Sequence, residues 1–184
     1  MFTFNNVLNA LRSGGTQRYH THAARMLKTQ DVAQHSYNVA LLAYMLSRGT
    51  ADSAVILHAL CHDSGEHWVG DVPAPTKRSL GIREKLGDEE DRVITEMLGL
   101  QLPPLSYPQG LRLKLCDSLE GALYCCTEIN MGNKTMIGVL QNFVDYVDEL
   151  TANHADTLAD GPTFDYPLFV NLIEYARSFL KETP

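Results

Sequence analysis

A chain of 184 residues is long enough for one core of its own and too short for two catalytic domains of ordinary size, ~150 residues each. Hydrophobic residues make up 45% and charged residues 20%, which excludes a disordered chain and a coiled coil. With 22 acidic against 15 basic side chains the net charge is -7, so a nucleic-acid polymer is not an expected partner. An anionic small molecule would have to be met locally, by a metal ion or a few placed Arg and Lys side chains. The longest apolar run, Val39 to Leu46, is less than half of the ~18 residues that cross a bilayer. The beginning of the sequence shows no basic flank followed by an apolar stretch, so neither a membrane span nor a signal peptide is expected. Cys61, Cys116, Cys125 and Cys126 form no C-x-x-C pair, and free thiols in a reducing cytoplasm are the expected state.

Taken in chain order, the periodicity is helical nearly throughout and predicts an all-α fold. A first helix runs from about Asn5 to Arg12 and stops at Ser13-Gly14-Gly15. A loop from Thr16 to Gln30 carries Arg18, Tyr19, His20 and His22. The next helix, about Val32 to Ser47, sets Val32, His35, Ser36, Val39, Ala43 and Leu46 along one stripe, so His35 faces inward. Asp52 or Ser53 caps a third helix, apolar nearly all round over Ala54 to Cys61, which predicts a central buried helix ending at His62 and Asp63. Glycines 65, 70 and 81 and prolines 73 and 75 predict an irregular segment, apart from one helical turn around Glu66 to Val69. Four more helices follow, at about Asp88 to Leu98, Gly110 to Asn130, Lys134 to Thr151 and Pro167 to Lys181.

The chemistry concentrates where His62-Asp63 ends an apolar helix and His35 faces the same core. Buried charge is costly unless paired or coordinated. Two imidazoles and a carboxylate inside a helical bundle are therefore either a hydrogen-bonded polar knot or ligands of a divalent metal. Asp117 interrupts the apolar stripe Leu113-Lys114-Leu115-Cys116-Asp117-Ser118-Leu119 and is a fourth candidate.

The segments Asp31-Val32-Ala33-Gln34-His35-Ser36, His62-Asp63-Ser64-Gly65-Glu66, Gly70-Asp71-Val72-Pro73-Ala74-Pro75-Thr76-Lys77 and Lys114-Leu115-Cys116-Asp117-Ser118-Leu119 resemble, in order, the HD-domain phosphohydrolases. Within them the chain is similar to the compact bacterial 5′-deoxynucleotidases and their phage dATP triphosphohydrolase branch. Gln34 stands where relatives commonly carry Glu. The resemblance implies one HD-domain helical bundle over residues 1–184 with a metal site in its core. It implies that His35, His62, Asp63 and Asp117 bind one divalent transition metal (Zn, Co, Mn, Ni or Fe), with positions open for water and substrate, and a second divalent ion riding on a triphosphate substrate. It assigns proton transfers to Glu66 and Asp71: Glu66 orients or deprotonates the attacking water and Asp71 protonates the leaving 5′ oxygen, or the reverse. Arg18 and Lys77, helped by Arg78, contact phosphate, and the base stacks on Tyr19 or Trp68.

The expected reaction is hydrolysis of a 2′-deoxynucleoside 5′-phosphate at the α-phosphorus. The short length and the Arg18-Tyr19-His20 loop favour a dATP triphosphohydrolase, releasing deoxyadenosine and triphosphate. The alternatives are a 5′-deoxynucleotidase on monophosphates, an alarmone or cyclic-nucleotide hydrolase, and a module that binds nucleotide without turnover. Expected partners are a small deoxynucleotide and further copies of the chain, as a dimer or hexamer. The expected compartment is the cytoplasm, the host's if the gene is a phage's. No P-loop or dinucleotide glycine pattern occurs, so ATP is not expected as a cofactor.

Overall fold

The computed structural model describes residues 3–22, 25–159 and 164–181. Among them lie α1 (Phe4–Ser13), α2 (Val32–Leu46), α3 (Ser53–Cys61), α4 (Glu66–Val69), α5 (Ala74–Ser79), α6 (Arg83–Arg92), α7 (Tyr107–Asn130), α8 (Ile137–Asn153), α9 (Ala155–Ala159) and α10 (Tyr166–Lys181). A π-helical turn, Val93–Met97, prolongs α6, and a 3-10 turn, Lys134–Met136, leads into α8. The β structure among the described residues is a single isolated bridge, Gln17 to Asp31. The fold is all-α, and among the described residues no helix is long and apolar enough to cross a membrane.

Helix α7 organises the rest. Leu115 and Leu119 meet Val39, Ala43 and Leu46 of α2, Val55 and Ala59 of α3, and Phe169 and Ile173 of α10. One turn further on, Ala122, Cys125 and Cys126 meet Leu140 and Val144 of α8 and Ala176 of α10. Each fully buried leucine contributes roughly 1.5–3 kcal/mol of transfer free energy. Where α7 crosses α8 there is no room for a side chain: a Cβ at Gly121 would stand 2.4 Å from Phe143 Cζ. All four cysteines are free; Cys116, Cys125 and Cys126 are buried, and burial pushes the Cys116 thiol up to about 12 and the Cys126 thiol to about 11, which makes these two unreactive core residues.

Three expectations need correction. Helix α3 is not buried all round: Val55 and Ala59 are its buried positions, while Leu57 is 36% and Leu60 44% exposed. It packs against α2 and α7 on one side, and hydropathy alone does not report how many sides of a helix have neighbours. The stretch after Gly70 is not irregular, because Ala74–Ser79 is helical. Pro73 is its N-cap and Pro75 lies in its first turn, positions where the missing N–H costs nothing and the fixed φ favours helix. Helix α6 starts at Arg83 rather than Asp88; its first turns are polar, mostly exposed and carry no apolar stripe.

Order in the loop before α2 comes from α7. Glu128 accepts from the main-chain N–H of Leu27 (2.9 Å) and Lys28 (2.6 Å) and from Asn133 Nδ2 (2.8 Å). Tyr124 donates its hydroxyl to Lys28 O and stacks on Tyr19, centroids 5.0 Å apart. Glu120 accepts from Gln30 Nε2 at 2.7 Å. Asp31 then caps α2 by accepting from Gln34 N at 2.8 Å. The polar positions 117, 120, 124 and 128 recur at helical spacing, so one edge of α7 meets Tyr19, Leu27, Lys28, Gln30 and His35 in turn.

Candidate metal centre

His35 is fully buried on α2, flanked along its stripe by Val32 and Val39. His62 caps the C-terminus of α3. Asp117 faces both from α7, its Oδ1 3.1 Å from His35 Nε2 and 3.8 Å from His62 Nε2. The two imidazole centroids are 5.3 Å apart. One donor atom from each of His35, His62 and Asp117 lies within 4.8 Å of the others. Asp63 borders this group through both oxygens, Oδ2 3.4 Å from His35 Nε2 and Oδ1 3.4 Å from His62 Nε2.

The hydrogen bonds say what this cluster is for. His35 Nδ1–H donates to Glu120 Oε2 at 2.7 Å, and His62 Nδ1–H donates to Ala59 O at 2.9 Å. Each ring therefore turns its Nε2 inward. Both Nε2 atoms are buried, and neither makes a hydrogen bond of proper geometry. Orphaned buried nitrogens are costly. Two of them converging with carboxylate oxygens form a nitrogen and oxygen donor set that fits a divalent transition metal. The fields agree. Burial works against ionised Asp117, but His35 and His62 overcome it and hold its carboxyl well below the usual range. Burial likewise pulls His62 down, and Asp63 and Asp117 reverse this to leave it at about 9.

Glu66, at the start of α4, is buried. Burial first, then Asp63 and Asp71, push its carboxyl up to about 9 against the opposing charges of Arg18 and Lys77. Gly65 lets α4 close onto α6: a Cβ there would meet Glu90 Cα and O at 2.7 Å. Arg18 Nη1 reaches Asp63 Oδ2 at 3.3 Å. Tyr19, between Arg18 and His20, takes a left-handed φ of 57°, a costly conformation for a bulky residue and common at functional loops. Its ring stacks on Tyr124 and lies 5.6 Å from the Arg18 guanidinium. Trp68 is 38% exposed, with His67 against its ring. Asp71 Oδ2 is 3.8 Å from His20 Nδ1. Lys77 pairs with Glu90 Oε1 at 3.0 Å, while Arg78 is only placed in the last turn of α5.

The structure thus brings His35, His62, Asp63, Asp117, Glu66 and Arg18 into one cluster, with Asp71 and Lys77 within its electrostatic reach. Sequence reasoning missed Glu120 and Tyr124, the residues behind His35 and Tyr19. The available signal was Glu120 one turn after Asp117 on the same helix face.

Residues 12–113 match the model of the HD domain family. The chain belongs to the HD-domain family. Asp117 and Glu120 lie just beyond the matched stretch. A 5′-deoxynucleotidase of Enterobacter sp. (strain 638) is 26% identical over 135 residues, covering 61% of this chain and 68% of that protein. The fold is also that of a conserved hypothetical protein from Pyrococcus furiosus, with a TM-score of 0.61 at 18% identity over 96% of this chain and 99% of that one. The HD domain and its His-His-Asp cluster make this chain a metal-dependent phosphohydrolase.

Proposed function

We propose that the protein hydrolyses 2′-deoxynucleoside 5′-phosphates at the α-phosphorus, with deoxynucleoside monophosphates as the leading substrates. The observation that carries this reading is the pair of orphaned Nε2 atoms, His35 and His62, facing Asp117 beside a buried Glu66 of raised proton affinity. The similarity to a 5′-deoxynucleotidase supports the substrate class. In this reading His35, His62 and Asp117 hold the ion, and Asp63 completes the set. When bound, the ion supplies Lewis acidity toward a phosphate oxygen and acidifies a water.

The chain's own groups do the rest. Arg18 offers a guanidinium fork to the phosphate, exchanging Asp63 for it. Lys77 adds a second positive charge from α5. Glu66 and Asp71 carry the two proton transfers, one from the attacking water and one to the leaving 5′ oxygen. Trp68 supplies the exposed aromatic surface for the base. The apolar side chains left exposed on α2, Tyr37, Leu41, Tyr44 and Met45, support assembly with further copies, a point that light scattering checks.

The test is product chromatography after incubation with Zn, Co, Mn or Mg and each deoxynucleotide as mono-, di- and triphosphate, with ribose counterparts. Deoxynucleoside and phosphate from monophosphates is the expected result. Deoxyadenosine and intact triphosphate from dATP alone would move the substrate to the triphosphate while keeping the attack at the α-phosphorus. No turnover with any metal would overturn the reading.

A further inference from the structure

Glu120 is a buried carboxylate, 4% exposed, for which metal binding and proton transfer have no use. It stands one turn beyond Asp117 on α7, and its two oxygens serve different partners. Oε2 accepts from His35 Nδ1–H at 2.7 Å. Oε1 accepts from Gln30 Nε2 at 2.7 Å and Asn38 Nδ2 at 2.9 Å. A carboxylate taken out of water is tolerated only with such charge-assisted bonds, and this one has three. Gln30 is itself buried, at 1% exposure, and its main-chain carbonyl accepts from Arg18 N–H at 3.0 Å. One side chain therefore grips both the imidazole of the candidate metal centre and the loop that carries Arg18.

We propose that Glu120 is a positioning residue with a separate task for each oxygen. Oε2 fixes His35 in the tautomer whose Nε2 lone pair faces Asp117, and Oε1 holds Gln30 so that the loop presents Arg18 to phosphate. The proposal rests on the metal-dependent reading above. Its first half follows from proton count: a neutral imidazole has one N–H, and an acceptor at Nδ1 keeps it there. A carboxamide at position 120 cannot meet both sides. With its oxygen toward His35, its NH₂ confronts two amide donors. Turned over, its NH₂ faces Nδ1 and drives the ring proton onto Nε2, closing the ligand position.

The experiment uses the full chain and zinc as probe. Wild type, Glu120→Gln and Gln30→Ala are titrated with Zn²⁺ by calorimetry. The His35 Nδ1 proton is followed by ¹⁵N-edited NMR in the zinc-loaded protein, and kcat and KM are measured on a deoxynucleoside monophosphate. Glu120→Gln is expected to bind zinc ~10–100-fold more weakly and to lose the hydrogen-bonded Nδ1 proton signal. Gln30→Ala, which cuts only the loop arm, is expected to keep zinc affinity and that signal while raising KM more than it lowers kcat. Equal zinc affinity in Glu120→Gln and wild type overturns the first task, and an unchanged KM in Gln30→Ala overturns the second. Should Glu120→Gln fail to fold, the wild-type spectrum decides: zinc bound through Nδ1, or no hydrogen-bonded Nδ1 proton, overturns the tautomer assignment. Failure of wild type to bind Zn²⁺, Co²⁺ or Mn²⁺ in the same titration is a different outcome, which overturns the metal-dependent reading and the proposal with it.

Discussion

His35, His62 and Asp117 stand in or at the end of helices α2, α3 and α7, whereas Arg18, His20, Asp71 and Lys77 stand on loops and the six-residue helix α5. The floor of the site is placed by apolar packing: Val32 and Val39 flank His35, and Leu115 and Leu119 lie on either side of Asp117, all at most 1% exposed. The rim is placed by ion pairs, Arg18 with Asp63 and Lys77 with Glu90. Packing of that density resists displacement, while partly exposed ion pairs contribute little and exchange partners readily. The floor therefore holds geometry, and the rim is the part that can exchange partners. Exchange of the Asp63 carboxylate at Arg18 for another anion would leave the core contacts of the floor in place.

That contrast breaks if floor and rim variants behave alike. The largest effect is expected for Asp117→Ala, which should weaken Zn²⁺ binding by more than the ~100-fold carried by groups outside the ligand set and abolish turnover while circular dichroism shows an intact fold. Glu66→Gln sits between the two regions; it should bind zinc normally yet lose ~10²–10⁴-fold in kcat, and a normal kcat would remove Glu66 from the chemistry. Lys77→Met on the rim should raise KM by ~10-fold or more, the scale of one lost charge-assisted contact of ~1.5–3 kcal/mol, with zinc affinity untouched. Equal loss of zinc by Lys77→Met and Asp117→Ala would erase the distinction.

Two smaller effects concern stability. Burial opposes the ionised Glu128, but Asn133 and the N–H groups of Leu27 and Lys28 outweigh it, holding its carboxyl below the ordinary 4.5. A group lowered in the folded state stabilises above its unfolded pKa, and the contribution is lost as pH falls through the folded value. Unfolding measured across pH should therefore show stability falling below about 4.5. Glu128→Gln should flatten that slope and cost ~1–3 kcal/mol at neutral pH. Asp52→Ala removes the side chain that accepts from Ala54 N at 2.8 Å to cap α3 and should cost about 1 kcal/mol, read as a lower Tm.

The helices and the ligand candidates were legible because both obey local rules. The 3.6-residue stripe through Val32, His35 and Val39 turns His35 inward, and His62-Asp63 closes an apolar run. Glu120 was not legible, since a glutamate on α7 reads as a polar edge until Gln30, His35 and Asn38, 90 to 82 positions away, are known to meet it. For the same reason the stacking of Tyr19 on Tyr124 was not legible: the two stand on different elements. Helix α5 was hidden by Pro73 and Pro75, which read as breakers in isolation and as an N-terminus once the turn is seen. The exposure of Leu57 and Leu60 depends on how many neighbours α3 has, which hydropathy does not encode.

The polar edge of α7 has a consequence for how the molecule assembles. Its bonds to the segment before α2 and to His35 join residues 85 to 101 apart in sequence, among them Leu27 with Glu128, Gln30 with Glu120 and His35 with Glu120. Closing loops of that length costs entropy before any contact repays it. The bonds that Leu27, Lys28 and Gln30 make to Glu128, Tyr124 and Glu120 form only after residues as far as Glu128 have been made and folded into α7. During synthesis the stretch carrying Arg18 and His35 leaves the ribosome long before its template exists, so the site closes as a late, cooperative event rather than growing outward from its first histidine.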